Sequence, residues 1–213
     1  MHIHLNIQCH HHAHLIAIKS SMSLSANILT YLSIFIWLFP PIRQYRSLVF
    51  KYFLVLGISD IIGFSFTNLF KISSQHFYVI ISLCTFIALQ KSEYLKKKKI
   101  FFIGLGLMII LLSFFEERRA PYIYLIAFLH LMIIFRILYL FVMVVAEKQV
   151  INFFYLVLAF YEFTILLKFL NFLFELNVDA QTYFYITTVF ELAVGVFFTT
   201  FREDSSKLVY KLI

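Results

Sequence analysis

Charge and glycine are what this sequence has least of. Only 14% of its 213 residues are charged and only five are glycine. A soluble domain carries about 25% charged residues, so this chain lacks the solvated side chains that cover a globular surface. It has two cysteines, Cys9 and Cys84. Two cannot build a disulfide framework, and Cys84 falls inside an apolar run. No apolar stretch followed by a small-residue cleavage site opens the chain, which argues against a signal peptide.

What fills the sequence instead is apolar. Hydrophobic residues make up 62%, phenylalanine alone occurs 28 times, and the mean hydropathy is +0.89. No core of this size needs so much apolar surface, whereas a bundle facing lipid does. The net charge of +7 is then explained by basic cytoplasmic loops rather than by nucleic acid. Six of the eight histidines crowd into residues 1–21. This stretch reads as an unstructured extension ahead of a start at Met22 rather than as a metal-capturing tract.

A spanning helix needs roughly 20 mostly apolar residues, and about seven such segments follow. They run over residues 26–39, 48–70, 76–90, 100–115, 121–146, 150–174 and 182–201. Pro40 and Pro41 close the first, and Pro121 sits in the first turn of the fifth. The runs are continuously apolar, unlike the alternating strands of a membrane β-barrel. The expected class is therefore all-α and polytopic, with residues 22–213 forming one membrane domain. Basic residues orient it. With the N-terminus outside, the inner side holds Arg43, Arg46, Lys91, Lys96, Lys97, Lys98, Lys99, Lys148, Arg202, Lys207 and Lys211. The outer side holds Lys19, Lys71, Arg118 and Arg119, so eleven against four favours N-out and C-in. The lysine run 96–99 anchors that topology, and its sharper reading is a contact with anionic lipid.

Four ionisable side chains fall near the middle of their segments: Asp60, Arg136, Glu162 and Glu191. His130 lies close to the same level. Each central charge costs about 2.5–3.5 kcal/mol to insert, so such groups face the bundle interior and find partners. Helical spacing places Asp60, Gly63 and Thr67 on one face. It does the same for Asn152, Tyr155, Ala159 and Glu162, and for Thr188, Glu191, Gly195 and Thr199. Three carboxylates against Arg136 leave an excess of acid, since Lys168 is expected to snorkel to the headgroups. A retained proton, a charged His130 or a bound cation would relieve it. These five residues are the candidate proton, cation or ligand site, and an interhelical ion pair is the structural alternative. No catalytic residue, metal or cofactor is expected.

A faint repeat links Phe53–Asp60 to Tyr155–Glu162: aromatic, Leu-Val-Leu, small, two residues, acid. Its offset pairs the first three segments with the last three as parallel repeats, with the fourth as linker. Trp37, Pro40, Pro41, Ile42, Tyr45, Arg46 and Ser47 end the first segment and enter a basic loop. This resembles the first PQ-loop motif of SWEET and cystinosin-type transporters. The resemblance implies a 3+1+3 arrangement, N-out and C-in, with acidic residues serving proton coupling. Pro41 stands where the family has glutamine, and the spacing to Tyr45 is one residue short. The stretch 142–149 carries no proline for a second copy.

Other seven-helix classes fit less well. A retinal pump needs a lysine in the last helix, and 182–201 has none. A zinc hydrolase needs about three histidine ligands, and only His76 and His130 lie beyond the extension. No Gly-x-Ser elbow accompanies a histidine, and nothing singles out an acid-dependent lipid hydrolase on Asp60 and Glu191. The expectation is a small secondary transporter of a bacterial inner membrane. Its partners are the bilayer, a proton or cation and a small solute. The alternative is a seven-helix sensor or assembly subunit acting through a membrane-protein partner or a second copy.

Overall fold

The computed structural model describes residues 24–65, 74–90, 92–100, 103–107, 119–174 and 180–211. The His-rich extension, the end of the second segment and most of the fourth lie outside these residues, as do Lys19, Lys71, Lys91 and Arg118. The described chain is helical apart from one small ribbon. Its helices are α1 (Leu24–Arg43), α2 (Phe50–Ser65), α3 (Ser74–Ala88), α4 (Ser92–Lys97), α5 (Arg119–Lys148), α6 (Phe153–Leu173) and α7 (Ala180–Thr200). Residues 103–107 are also helical. Four stretches of these, Leu24–Arg43, Pro121–Lys148, Phe153–Asn171 and Thr182–Thr200, are long and apolar enough to cross a membrane. Within the described residues α2 and α3 are shorter, and α4 has six residues.

Two boundaries differ from expectation. The sixth segment does not open as helix: Val150–Asn152 is a strand, β1, paired antiparallel with β2 (Val209–Lys211). The all-helical reading thus acquires a two-stranded ribbon at one end of the bundle. The prolines at 40 and 41 do not close α1 either; the helical bonding is interrupted at Leu38, whose backbone stays helical, and the chain makes one more turn, Phe39–Arg43. Proline is tolerated at the first positions of a turn because the amide hydrogen it lacks would have no partner there.

That interruption has a packing consequence. Pro41 cannot donate to the carbonyl of Trp37, so this oxygen faces outward from α1. It lies where a Cβ on Gly57 of α2 would sit, 2.7 Å from it, with the Pro41 ring at 3.0 Å. On the neighbouring side, a Cβ on Gly195 of α7 would meet the Ile36 side chain at 2.7 Å. The two glycines let α2 and α7 close on α1 around a buried Trp37. The indole packs on Tyr161 of α6, with ring centroids 4.7 Å apart, and lies within reach of Phe53 and Phe198. Gly63 does the same for α3, since its Cβ would meet Phe77 at 2.7 Å. Gly57→Ala is expected to lower stability by about 1–3 kcal/mol, because its obstacle is backbone rather than a movable side chain. Gly104→Ala, with nothing within 4 Å, is the near-neutral control. Unfolding in mixed detergent micelles measures both, and equal effects would refute the close-approach argument.

α5 is apolar on both faces. Tyr122, Ile126, Leu129, Ile133 and Ile137 are buried, most extensively against α6, whereas Tyr124, Phe128, Leu131, Phe135 and Val142 are exposed. In water such a stripe would be an aggregation hazard; in a bilayer it is the lipid-facing surface. Hydroxyl groups in the helices are satisfied locally. Thr85, Thr188 and Thr199 each donate to a carbonyl four residues earlier, which suits a medium with no water to serve them.

Candidate functional site

Glu162 lies in mid-α6 and is completely buried. One carboxylate oxygen accepts from the Tyr52 hydroxyl of α2. The other lies 2.7 Å from Nδ1 of His130, one of the ion pairs among the described residues. Nε2 of His130 lies 3.1 Å from the Ser82 hydroxyl of α3, which in turn donates to the Tyr78 carbonyl at 2.8 Å. The imidazole stacks on Phe169, with centroids 5.6 Å apart. Four helices thus supply one chain of polar groups, Tyr52–Glu162–His130–Ser82, inside an aromatic shell. A buried acid is costly unless paired and hydrogen-bonded, and this one is both.

A second ionic group involves α2, α6 and α7. Lys168 donates to a Glu191 carboxylate oxygen. Their side chains keep 24% and 21% of their exposure, so this pair is more open than the first. Asp60 lies within electrostatic range of both Glu191 and Lys168. Tyr161, buried against Trp37, lies within electrostatic range of Glu191, Glu162 and Asp60. Two carboxylates and one ammonium leave this group one positive charge short.

The five residues singled out by sequence therefore divide. His130 and Glu162 come together directly. Glu191 and Asp60 belong to the neighbouring group with Lys168. Arg136 joins neither; its Nε donates to the Leu89 carbonyl at 3.2 Å and its guanidinium lies over the Tyr139 ring. Among the described residues no carboxylate pairs with it. Arg136 is thus not the counter-ion of the buried acids, and Lys168, expected at the headgroups, neutralises Glu191 instead. The reason is helical phase. Arg136 and His130 are six residues apart on α5, about 600° of rotation, so they leave the helix about 120° apart. The spacing that turns His130 toward α6 turns Arg136 toward the end of α3.

Sequence reasoning missed Tyr52, Ser82 and the end of the bundle opposite the open ionic pair. There Gln44, fully buried in the loop after α1, donates to the carbonyls of Phe198 and Phe201 at 3.0 and 2.8 Å. It accepts from the Glu203 amide at 3.1 Å. Glu203 accepts from the Leu48 amide at 2.9 Å and from the Tyr155 hydroxyl. Asn152, expected within helix six, instead caps it by accepting from Phe154 at 3.0 Å and donates to the Glu203 carbonyl at 2.8 Å. One end of the bundle thus gathers the α1–α2 loop, the α5–α6 junction and the C-terminal segment. Loop residues have no periodicity, so no sequence signal marks Gln44 or Glu203.

The order Ser82, His130, Glu162 has the connectivity of a hydrolase triad, but its surroundings differ. Ser82 is buried in the middle of α3, where backbone amides are used within the helix and none is left to stabilise an oxyanion. Tyr52 occupies the second carboxylate oxygen. What this arrangement can do is hold and pass a proton.

The fold and the site define a helical membrane protein with a buried, histidine-paired carboxylate. No family model, curated protein or solved structure matches the chain.

Proposed function

We propose that the protein is a small secondary transporter of the cell membrane, in which the acidic residues at mid-span bind a proton or cation. The observation that carries this reading is Glu162, wholly buried, held by a titratable partner on another helix and neighboured by an ionic group short of one cation. The reading takes in the seven-span, N-out and C-in layout with a 3+1+3 repeat and the resemblance to PQ-loop transporters. In that layout α1–α3 and α5–α7 are the two units. Tyr52 and Ser82 then belong to one unit and Glu162 and His130 to the other, so the polar chain lies across the seam that alternating access would open. Asp60 and Lys168–Glu191 straddle the same seam.

The test is solute uptake by proteoliposomes under an imposed pH gradient, screened over small sugars, amino acids and organic cations. Gradient-dependent uptake of one solute class is expected, falling by roughly tenfold or more in Glu191→Gln, a loss of at least about 1.4 kcal/mol. Absence of uptake across the panel would reject the transporter. The second reading, a sensor or assembly subunit, draws on the tied end of the bundle. Exposed Arg43, Arg46, Lys148, Lys207 and Lys211 surround the ribbon there and offer a basic face to a membrane-protein partner.

A further inference from the structure

The hydrogens around His130 can be counted. Ser82 has one hydroxyl hydrogen and two neighbours, the Tyr78 carbonyl at 2.8 Å and His130 Nε2 at 3.1 Å. A carbonyl only accepts, so the hydroxyl hydrogen goes to Tyr78 and Nε2 bonds Ser82 only by donating to it. On the other side of the ring, Nδ1 faces Glu162 at 2.7 Å. The other oxygen of Glu162 is taken by the Tyr52 hydroxyl. With the Ser82 hydroxyl on Tyr78 and Glu162 ionised, this environment uses two N–H groups, one more than a neutral imidazole has.

We infer that His130 is the proton-carrying group of this protein, held as an imidazolium between Glu162 and Ser82, with the exchangeable proton on Nε2 facing α3. The imidazolium and the carboxylate together are neutral, which suits a buried site. Release of the proton from Nε2 leaves a net negative charge. It also obliges Ser82 to turn its hydroxyl hydrogen from the Tyr78 carbonyl to the bare ring nitrogen. The other titratable groups facing the pair are Tyr52 of α2 and Tyr161 of α6. Lys168, Glu191 and Asp60 form the neighbouring ionic group. Proton occupancy is thereby tied to the contact between α3 and α5. Its use in coupled transport rests on the reading proposed above; the protonated site itself does not.

The experiment is solid-state NMR of the full-length protein, labelled with ring-¹⁵N histidine, in lipid bilayers at pH 7. The His130→Gln variant identifies the His130 signals by difference. Two protonated ring nitrogens are expected in the parent. Glu162→Gln is expected to shift the imidazolium-to-imidazole ratio at least about tenfold toward the neutral ring. Ser82→Ala shifts it the same way, and Ser82→Thr, which keeps the hydroxyl, restores it. A single protonated nitrogen in the parent overturns the inference, as does a ratio unmoved by Ser82→Ala. An imidazolium found in a protein that shows no solute uptake leaves this site standing and removes the transporter. Gradient-driven uptake with a neutral His130 does the reverse.

Discussion

His130→Leu is expected to destabilise the protein by about 3–5 kcal/mol. The substitution removes the histidine partner of Glu162 and leaves a fully buried carboxyl group with only the Tyr52 hydroxyl on it among the described residues. Breaking one side of a buried pair costs this much because the surviving charge keeps its desolvation penalty. Replacing both partners removes that penalty. His130→Leu with Glu162→Leu is therefore expected to recover most of the loss. What remains belongs to the Tyr52 hydroxyl, which loses its acceptor at a cost of about 1–3 kcal/mol. Adding Tyr52→Phe removes that as well. Denaturant titration in micelles, run as a cycle over the three positions, measures the coupling. The triple variant is then stable and apolar, and under the transport reading it is inactive. A His130→Leu variant within about 0.5 kcal/mol of the parent would show that the pair contributes nothing to folding.

Gln44→Leu comes next. The last carbonyls of an α-helix have no partner within it, and in α7 the side-chain amide of Gln44 supplies two hydrogens to that end from another part of the chain. The same side chain receives the Glu203 amide. Leucine fills a similar volume but satisfies none of these groups. A loss of about 3 kcal/mol is expected, the scale of a few buried hydrogen bonds left unmade. The damage is local first. Amides of β2, which pairs with β1, are expected to exchange with solvent far faster than those of α5 and α6. Glu203→Ala is expected to act in the same direction, since it frees the Leu48 amide and the Tyr155 hydroxyl. Hydrogen exchange resolved by residue separates this release from global unfolding. If ribbon amides keep their protection in Gln44→Leu, the ribbon is held by its own pairing and not by this knot.

Both effects concern groups whose importance depends on where other helices stand, and this sets how far the sequence could be read. The apolar segments were legible because crossing a bilayer is a property of length and composition along one chain. Pro121–Lys148 and Thr182–Thr200 are helices long and apolar enough to span, within a few residues of the expected limits. Asp60, His130, Glu162 and Glu191 stood out because a polar group at that depth is costly wherever its partner lies. Boundaries read less well where backbone pairing competes with helix. Val150 and Ile151 look as apolar as the helix they precede, and only Val209–Lys211, nearly 60 residues away, makes Val150–Asn152 a strand.

The sequence by itself determined that the chain is a set of apolar helices with charges at mid-span. Insertion energy depends on each residue's own chemistry and on its neighbours along the chain. The tertiary structure alone decided which charge meets which: His130 with Glu162, Lys168 with Glu191, and Arg136 with a carbonyl. It also decided that Gln44 and Glu203 fasten one end of the bundle. Pairing depends on the rotation and depth of one helix against another. Those are fixed by contacts such as Gly57 on the Trp37 carbonyl and Gly195 on Ile36, between residues far apart in the chain.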